Sequence, residues 1–373
     1  MQFIDLAAQQ SRIRHEIDTA IAQVLDHGRY IMGPEVDALE EELTAFVGAG
    51  EVISCASGTD ALVMALLVRN VGPGQAVFVP SFTFAATAEA VALLGATPVF
   101  VDIDPITYNL DPASLDAAVR GLDDSLRPAG VIPVDLFGLP ADYEAIDALA
   151  DEHGLWVIAD AAQAFGASVG DRRVGRFAAL TTTSFFPAKP LGAYGDGGAI
   201  VALDPADAAA LRSVRVHGSG CDKYDNVRLG INGRLDTLQA AVLLSKLRIF
   251  ADELDRREVV ARRYTDALVG SVATPVVPDG VRSAWAQYTV RVTDRASVAA
   301  ALADRGVPTA VYYPQPLHRQ TAYAGYPVGA GGLVASDHAS TEVLSLPMHP
   351  YLRAEDQELV IDSVRLACGT VGR

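Results

Sequence analysis

Apolar residues in the first fifty positions recur at the spacing of amphipathic helices. Residues 13–27 place five apolar side chains on one face, and Gly28 ends that pattern. Gly33 precedes a second helix, which begins at Pro34 because the first turn of a helix tolerates proline. The apolar stripe of this second helix runs to Val47. The pattern therefore predicts two helices ahead of the first strand.

From residue 52 onward, short apolar runs alternate with helical segments. The predicted strands are 52–55, 77–79, 98–101, 130–134, 156–159, 181–185 and 199–202. The predicted helices between them are 59–68, 83–94, 112–120 and 141–153. Strands that are apolar throughout are typical of a mostly parallel sheet covered on both faces. Ligands of such sheets bind at the carboxyl ends of the strands.

The last third of the chain has a different pattern. Its predicted elements are helices at 234–249 and 251–268, a half-exposed strand at 286–292, and helices at 295–305, 336–344 and 355–367. These elements form a smaller α+β unit. We predict a large domain over residues 1–248, including the N-terminal helices, and a small domain over 249–373. The boundary between them lies in a helix.

The composition and net charge of the chain argue against several classes of protein. The chain has 373 residues and a net charge of −17, which argues against a nucleic-acid or anionic membrane surface. The three cysteines are scattered, which suits a reducing cytoplasm and excludes a zinc site of ordinary spacing. The N-terminus lacks the pattern of a signal peptide, and no apolar run reaches the roughly 18 residues of a membrane span. We expect a cytoplasmic protein without metal, membrane or nucleic-acid partners.

Two ionisable residues follow predicted strands. Lys189 lies in a run of aromatic, proline and glycine residues, with no other charge until Asp196. A desolvated lysine has a lowered pKa and attacks an aldehyde more readily, whereas most lysines are solvated. Asp160 ends an apolar strand, where an ionised carboxylate is costly unless paired. It is either a ligand for a cation or the N-cap of the next helix.

Further residues extend this pattern. Ser57, Gly58 and Thr59 join a strand to a helix, so their turn is either a phosphate site or simply a good N-cap. Gln163 follows Asp160 by three residues, and Ser184 is a second phosphate donor or a buried strand serine. A lysine for an aldehyde and an aspartate for a pyridinium nitrogen are the groups that pyridoxal phosphate requires. Taken together, these positions predict that cofactor.

Four motifs carry a family resemblance. Ser57–Leu62, Phe82–Phe84, Asp160–Gln163 and Ser184–Lys189 resemble the pyridoxal-phosphate-dependent sugar aminotransferases of the DegT/DnrJ/EryC1/StrS group, in that family's order and spacing. The resemblance extends over residues 28–348. It implies an α/β fold, the fold-type I transferase, with a mostly parallel sheet in the large domain. It also implies a homodimer with active sites at the subunit interface.

The resemblance assigns roles around the phosphate and the ring. Gly58, Thr59 and Ser184 hold the phosphate. Asn232 reaches in from the partner subunit, and Phe84 stacks on the pyridine ring.

The same resemblance assigns the reacting groups. Lys189 forms the Schiff base, Asp160 pairs with the ring nitrogen N1, and Gln163 contacts the ring oxygen O3′. The implied reaction takes an amino group from an amino acid, for which we expect L-glutamate, and gives it to the keto group of a nucleotide-linked sugar. The Lys189 amine moves a proton between Cα of the amino acid and C4′ of the cofactor.

Seven residues are candidates for contacting the substrates: Tyr30, Ile31, Gly33, Arg234, Tyr312, Tyr313 and His318. Arg234 is the candidate for the donor's α-carboxylate through a bidentate contact, or else a surface arginine at a helix start. The motifs are most similar to the branch that aminates UDP-3-keto-N-acetylglucosaminuronate. That branch has Val-His-Tyr-Pro where this chain has Val311–Pro314. Because a phenol cannot neutralise a carboxylate, we expect a neutral keto sugar on UDP or dTDP.

Two alternative functions are compatible with parts of this sequence. A sugar dehydratase of similar sequence lacks the Schiff-base lysine, so Lys189 argues against that reaction. A cofactor-binding regulator would require a DNA-binding or sensor domain, and the sequence offers neither.

Overall fold

The computed structural model of this chain describes residues 1–222 and 224–369. The α-helices in these residues are α1 (Leu6–Arg12), α2 (Arg14–His27), α3 (Pro34–Val47), α4 (Gly58–Val68), α5 (Ala86–Leu93), α6 (Pro112–Arg120), α7 (Tyr143–His153), α8 (Pro205–Val214), α9 (Thr237–Leu268), α10 (Arg295–Asp304), α11 (Val334–Glu342) and α12 (Ala354–Gly369).

The strands in the same residues are β1 (Glu51–Cys55), β2 (Gln75–Pro80), β3 (Thr97–Val101), β4 (Arg127–Val131), β5 (Trp156–Asp160), β6 (Ser168–Val169), β7 (Arg172–Arg173), β8 (Leu180–Ser184), β9 (Gly198–Ala202), β10 (Val281–Arg282), β11 (Tyr288–Arg291) and β12 (Val343–Leu346). Short 3₁₀ turns lie at Leu136–Gly138 and Leu317–Arg319.

Seven strands form one sheet in the order β1-β9-β8-β5-β4-β2-β3. Only β9 runs antiparallel to its neighbours in this sheet, while the pairs from β8 through β5, β4 and β2 to β3 are parallel. Asp160 at the end of β5 pairs with Thr182 of β8. The carboxyl ends of β5 and β8 therefore lie side by side, and Ser184 ends β8 two residues later.

Helices cover both faces of this sheet. Neighbouring residues of β2 point to opposite sides, so Val77 packs with α4, α5 and α8, whereas Phe78 packs with α6 and α7. Near β1 and β9 the second face is covered by α3 and α9. This two-sided burial explains why the strand sequences are apolar without alternation.

The C-terminal part forms a smaller α+β unit. Strands β11 and β12 pair antiparallel, and α10, α12 and the second half of α9 pack against them. Helix α9 takes part in both units, since Leu254 packs with the large sheet and Val260 with the small one. The division at residue 248 remains a prediction, and residues 370–373 of the predicted small domain lie outside the described residues.

Some predicted elements differ from the structure. The two helices predicted at 234–249 and 251–268 are one continuous helix, α9, because Phe250 and Leu254 pack into the core beside Phe165. The helix predicted at 83–94 begins only at Ala86, which leaves the preceding residues as a loop.

Other boundaries were shifted or missed. The strand predicted at 130–134 lies at 127–131. Helices α1 and α8 were not predicted, although Asp5 and Asp204 cap them as N-cap residues commonly do. Within residues 1–222 and 224–369, no helix combines the length and apolar character needed to cross a membrane.

Candidate active site

Asp160 is a buried carboxylate at the carboxyl edge of the sheet. It is 5% exposed. Its Oδ2 accepts a hydrogen bond from Thr87 Oγ1 at 2.8 Å, and its Oδ1 accepts one from the backbone N–H of Ala162 at 3.2 Å. Burial raises the pKa of Asp160, while these two bonds and the charge of Lys189 oppose that shift. The carboxylate is thus held in place and lacks a full counter-ion.

Lys189 lies close enough to Asp160 for their charges to interact. Burial lowers the pKa of the Lys189 amine, and Asp160 opposes this effect. The loop that carries it, residues 185–197 between β8 and β9, is called here the Lys189 loop. Within it the backbone N–H of Lys189 donates to Phe186 O at 2.9 Å, and that of Ala193 donates to Phe185 O at 2.7 Å. The loop therefore has a defined fold of its own.

A narrow cradle lies between α4 and β8. The backbone is so close that a Cβ added to Gly58 would lie 2.7 Å from Cβ of Ser184. A Cβ on Gly198 would lie 2.4 Å from Ser57 O. Ser57 caps α4, accepting the backbone N–H of Asp60 at 3.0 Å. With the N–H of Asp60 bonded to Ser57, the N–H groups of Gly58 and Thr59 at the start of α4 are available to an anion.

Gln163 and Tyr313 form a hydrogen-bonded pair beside Asp160. The amide oxygen of Gln163 accepts from the backbone N–H of Phe137 at 2.7 Å, and its Nε2 donates to Tyr313 Oη at 3.2 Å. Phe137 has a φ of 59° in the left-handed region, a strain that its surroundings must maintain. Because a backbone N–H can only donate, the direction of each bond is fixed. Tyr313 therefore accepts from Gln163 and keeps its own hydrogen for another acceptor.

Phe84 lies in the loop before α5 and is 57% exposed. Its ring centroid is 6.3 Å from that of Tyr313, which in turn meets Phe82 edge-on at 6.2 Å. Burial raises the pKa of the Tyr313 phenol, so this residue is neutral at physiological pH. The open Phe84 ring is available to a flat ligand.

The residues predicted for the cofactor thus fall into two places. Asp160, Gln163, Ser184 and Lys189 lie at the carboxyl edge of β5 and β8, and this group is called here the floor. Gly58 and Thr59 begin α4 beside it. The floor offers an amine, a buried carboxylate and a helix N-terminus between glycine-lined walls, which fits the aldehyde, pyridinium and phosphate of pyridoxal phosphate.

A second predicted group lies elsewhere on this chain. Tyr30, Ile31, Asn232 and Arg234 are called here the rim, and the first three are exposed. Ile31, Asn232 and Arg234 line a cavity of about 590 Å³ together with Ser57. In this part of the chain the Nε of Arg234 is buried without a hydrogen-bond partner. The rim therefore contains a guanidinium N–H with an unmet bond.

Gly33 and His318 have structural contacts instead of open faces. A Cβ on Gly33 would lie 2.6 Å from Arg29 O, and its N–H donates to Thr237 Oγ1 at 3.0 Å. His318 Nδ1 lies 2.7 Å from Ser81 Oγ, and its Nε2 lies 3.3 Å from Asp337 Oδ1. Burial lowers the pKa of His318. Both ring nitrogens are thus occupied within the chain.

Sequence reasoning missed several groups that hold the floor. Thr87 bonds Asp160 from α5, and no local motif marks it. Asn109 accepts the backbone N–H of Leu136 at 3.0 Å and donates to Leu139 O at 3.0 Å, which shapes the loop that presents Phe137. These contacts join residues far apart in the chain. Only the fold brings them together.

Comparisons with known proteins agree over nearly the whole chain. A model of the DegT/DnrJ/EryC1/StrS aminotransferase family matches residues 11–365. The UDP-2-acetamido-2-deoxy-3-oxo-D-glucuronate aminotransferase of Pseudomonas aeruginosa is 52% identical, over 94% of this chain and 96% of that protein. A UDP-N-acetyl-3-dehydro-α-D-glucosamine 3-aminotransferase of Acidithiobacillus ferrooxidans is 42% identical, over 97% and 96%. A dTDP-3-amino-3,4,6-trideoxy-α-D-glucose transaminase of Streptomyces venezuelae is 40% identical, over 97% and 95%.

Solved structures of other proteins have nearly the same fold as this chain. An aminotransferase of this family from Brucella abortus has a TM-score of 0.98 at 52% identity and covers all of both chains. The S. venezuelae protein DesV, solved in complex with a ketimine intermediate, has a TM-score of 0.93 at 40% identity and 98% coverage of both chains. NtdA of Bacillus subtilis with bound cofactor PMP has a TM-score of 0.90 at 29% identity, over 99% of this chain and 85% of that one. These likenesses confirm the predicted fold-type I class.

The chain belongs to the DegT/DnrJ/EryC1/StrS aminotransferase family.

Proposed function

We propose that this chain uses pyridoxal phosphate to move an amino group from an amino acid to a 3-keto group of a nucleotide-linked sugar. The observation that carries the proposal is the position of Lys189 near the buried Asp160 at the carboxyl edge of the sheet, where each charge affects the pKa of the other group. The α4 cradle and the family membership support it. A retained lysine favours this proposal over dehydration, and the relatives named as aminotransferases or transaminases favour it over regulation alone.

Lys189 has two tasks in this proposal. Its amine holds the cofactor covalently, and after the donor takes its place it moves a proton from Cα of the donor. Burial lowers the pKa of Lys189, which increases the fraction of free amine. The bound cofactor supplies an electron sink for the carbanion left at Cα. A neutral amine near that carbon is the base that the reaction requires.

Asp160 holds a proton at the ring nitrogen. Its carboxylate is fixed by Thr87 and Ala162, so it is orientated before any ligand binds. A buried carboxylate with two neutral donors and a nearby lysine stabilises an additional cation strongly. We therefore assign the pyridinium to Asp160 and the phosphate to Gly58, Thr59 and Ser184.

Gln163 and Tyr313 define the next part of the site. Since Tyr313 accepts from Gln163, its hydroxyl hydrogen is directed to another acceptor. We assign that acceptor to an oxygen of the cofactor or of the substrate. Phe84, with its exposed ring, covers the face of the cofactor.

We propose a homodimer in which the rim completes the partner's floor. Tyr30 and Ile31 are adjacent and each 48% exposed, and Ile31 also lines the cavity that contains Asn232 and Arg234. Asn232 is exposed as well, and it lines the same cavity as Ser57. A closed two-fold dimer is the commonest assembly that covers such a surface. Its Asn232 then contacts the phosphate bound by the partner.

The names of the three relatives described above support a position for the new amine. Each is named for a sugar with oxygen or nitrogen at position 3. Two of those names carry UDP and one carries dTDP, so the ring position is common to them and the nucleotide is not. We propose C3 as the aminated carbon, with glutamate as donor and Arg234 as the group that binds its α-carboxylate.

The substituent at C6 separates two sugar classes. A neutral sugar is favoured by the candidate contacts, because Tyr312 and Tyr313 are phenols and His318 is already bonded to Ser81 and Asp337. A uronate is favoured by the 52% identity to the Pseudomonas aeruginosa enzyme. A carboxylate left unpaired in a partly buried site costs about 1–3 kcal/mol. We propose the neutral sugar first and the uronate second.

A substrate panel tests these proposals. Protein loaded with cofactor is mixed with glutamate and UDP- or dTDP-linked 3-keto and 4-keto sugars, and the products are identified by mass spectrometry. We expect an amine at C3, with the neutral sugars preferred by at least about tenfold in kcat/KM, the ratio that corresponds to 1.4 kcal/mol. Loss of water without nitrogen transfer would identify a dehydratase. Absence of any turnover, with the cofactor bound, would favour the regulator.

We also propose a cytoplasmic location, where nucleotide sugars are available and scattered cysteines stay reduced. Fractionation of cells with an antibody to the chain tests this, and recovery in the secreted fraction would contradict it.

A further inference from the structure

The sequence has three lysines, Lys189, Lys223 and Lys246, and one of them is buried without a role in the reaction proposed above. Lys246, on α9, is 1% exposed. Burial lowers the pKa of Lys246 to about 8, while the charge of Glu253 opposes this shift. Burying a cation is costly unless it gains specific partners. The choice of partners therefore indicates what the side chain does.

Both close partners of Lys246 belong to the Lys189 loop. Its Nζ donates a hydrogen bond to Gly192 O at 2.6 Å and lies 4.2 Å from the centroid of the Tyr194 ring. Gly192 is tightly packed within that loop, since a Cβ there would lie 2.4 Å from Pro187 O. A shift of Gly192 would therefore disturb the segment on each side of Lys189.

A second contact comes from the same helix. Gln239 precedes Lys246 by seven residues, or about two turns, so both lie on one face of α9. Its Oε1 accepts the backbone N–H of Tyr194 at 2.8 Å. One helix face thus holds a carbonyl and an N–H of the Lys189 loop, three and five residues beyond Lys189.

We infer that Lys246, assisted by Gln239, is a positioning residue that fixes the Lys189 loop before the cofactor arrives. The Lys189 amine is thereby presented to the aldehyde in one orientation. This inference rests on the proposed function in one respect, that Lys189 is the residue that captures pyridoxal phosphate. It requires neither a sugar nor an amino-acid donor.

If Lys246 only stabilised the fold, its replacement would lower stability without a specific change in the Lys189 loop. Another buried cation on α9 provides the matched control. Arg257 on the same helix is 5% exposed, and its Nη1 donates to Trp285 O at 2.9 Å. It too is a buried cation bound to a loop carbonyl. Its carbonyl belongs to a different loop, so Arg257→Met reproduces the loss of stability without changing the Lys189 loop.

The test compares the cofactor-free forms of wild type, Lys246→Met and Arg257→Met. We expect both variants to melt at a lower temperature. Only Lys246→Met should raise amide hydrogen exchange in peptides spanning residues 186–197, by about tenfold or more, because the loop loses a buried hydrogen bond. On addition of pyridoxal phosphate, the same variant should form its visible absorbance about tenfold more slowly.

Equal exchange and equal capture rates in the two variants would overturn the inference and leave Lys246 a stabilising residue only. If Lys246→Met does not fold, Gln239→Leu is the second test. We expect it to raise amide exchange in residues 186–197 and to slow cofactor capture by about threefold each, because a neutral hydrogen bond is weaker than a charged one. Gln239→Leu without effect on the loop would then refute it. A wild type that captures the cofactor on Lys189 yet aminates no sugar would refute the proposed function while leaving this inference intact.

Discussion

The floor and the rim of this protein contrast in burial and bonding. Asp160 and Gln163 of the floor are 5% and 4% exposed, and each makes two hydrogen bonds within the chain. Tyr30 and Ile31 of the rim are each 48% exposed. The floor makes its hydrogen bonds within one chain, whereas the rim has exposed surface that the proposed partner subunit would cover. This difference agrees with the proposed roles, in which the floor carries the chemistry and the rim contributes Asn232 and Arg234 to ligand binding.

This contrast has a physical basis. The electrostatic work of the reaction requires groups that are orientated before the ligand binds, and burial with satisfied hydrogen bonds provides that. Recognition of a ligand requires polar groups with unmet bonds, such as Nε of Arg234, which is buried and has no hydrogen-bond partner within the described chain. Changes in the floor should therefore affect rate for every substrate, and changes in the rim should affect selectivity or assembly.

Removal of the Lys189 amine should cause the largest loss of turnover. Lys189→Ala should still bind the cofactor without a covalent bond and should lose turnover by on the order of 10⁴-fold or more, because both the covalent link and the proton carrier are gone. Steady-state kinetics measures the loss. Borohydride reduction of wild type followed by peptide mapping is the control, with the adduct expected on Lys189. An adduct on Lys246, or on Lys223 outside the described residues, would contradict the assignment.

Neutralisation of the Asp160 carboxylate should cause the second largest loss of activity. Asp160→Asn keeps the shape of the side chain but replaces one accepting oxygen with an NH₂ group that only donates, and it cannot pair with a pyridinium. We therefore expect a loss of about 10²-fold in kcat. Thr87→Val is the matched control, since it removes one bond to Asp160 and leaves the charge. It should cost only a few-fold, in line with one neutral hydrogen bond of about 1 kcal/mol. Near-normal turnover of Asp160→Asn would show that the carboxylate only caps the following turn.

The two regions also differ in how far the sequence predicts them. Asp160, Lys189 and Ser57 were found because each follows a strand and belongs to a local motif. Thr87 and Asn109 were not, since they are single polar residues whose partners lie many positions away. The order of the sheet likewise depends on long-range pairing, which no local pattern encodes.

Helix α9 shows the same limit for secondary structure. The charged residues after position 250 favoured a break, yet Phe250 and Leu254 are buried against the large sheet and the helix continues. Tertiary packing overrides local preference at such positions. For the rim, the predicted residues stay predictions, because one chain shows their exposure and not their ligands.

Loss of the Tyr313 hydroxyl should show whether this residue affects the rate, like the floor, or the choice of substrate. Tyr313→Phe keeps the ring against Phe84 and removes the hydrogen that Gln163 leaves free. We expect kcat to fall about tenfold, corresponding to 1.4 kcal/mol, for neutral sugars and uronates alike. Kinetics with both sugar classes provides the check. A change in KM for one class alone would place Tyr313 in substrate selection instead of the floor.

Assembly can be tested by mixing two inactive variants. Asn232→Ala and Lys189→Ala dimers, unfolded and refolded together in equal amounts, should regain about a quarter of the wild-type activity, because half of the dimers contain one site with both residues intact. Each variant refolded alone is the control and should stay near its own low rate. An active monomer by light scattering, or no recovery in the mixture, would contradict the shared site.

The smallest expected effect concerns the C6 substituent. Tyr312 is half-buried, so a cation placed there interacts with a carboxylate through partly solvated surroundings, and such a pair contributes about 0.2–1 kcal/mol. Tyr312→His should therefore shift kcat/KM towards a UDP-keto-uronate, relative to a neutral keto sugar, by no more than about fivefold. The shift should be present below pH of about 6.5 and should fade as pH rises, because the imidazole then loses its charge. Tyr312→Phe, which cannot become charged, should show no such pH dependence. A wild type that already prefers the uronate would reverse the order of the two proposed sugars and leave the floor's assignment unchanged.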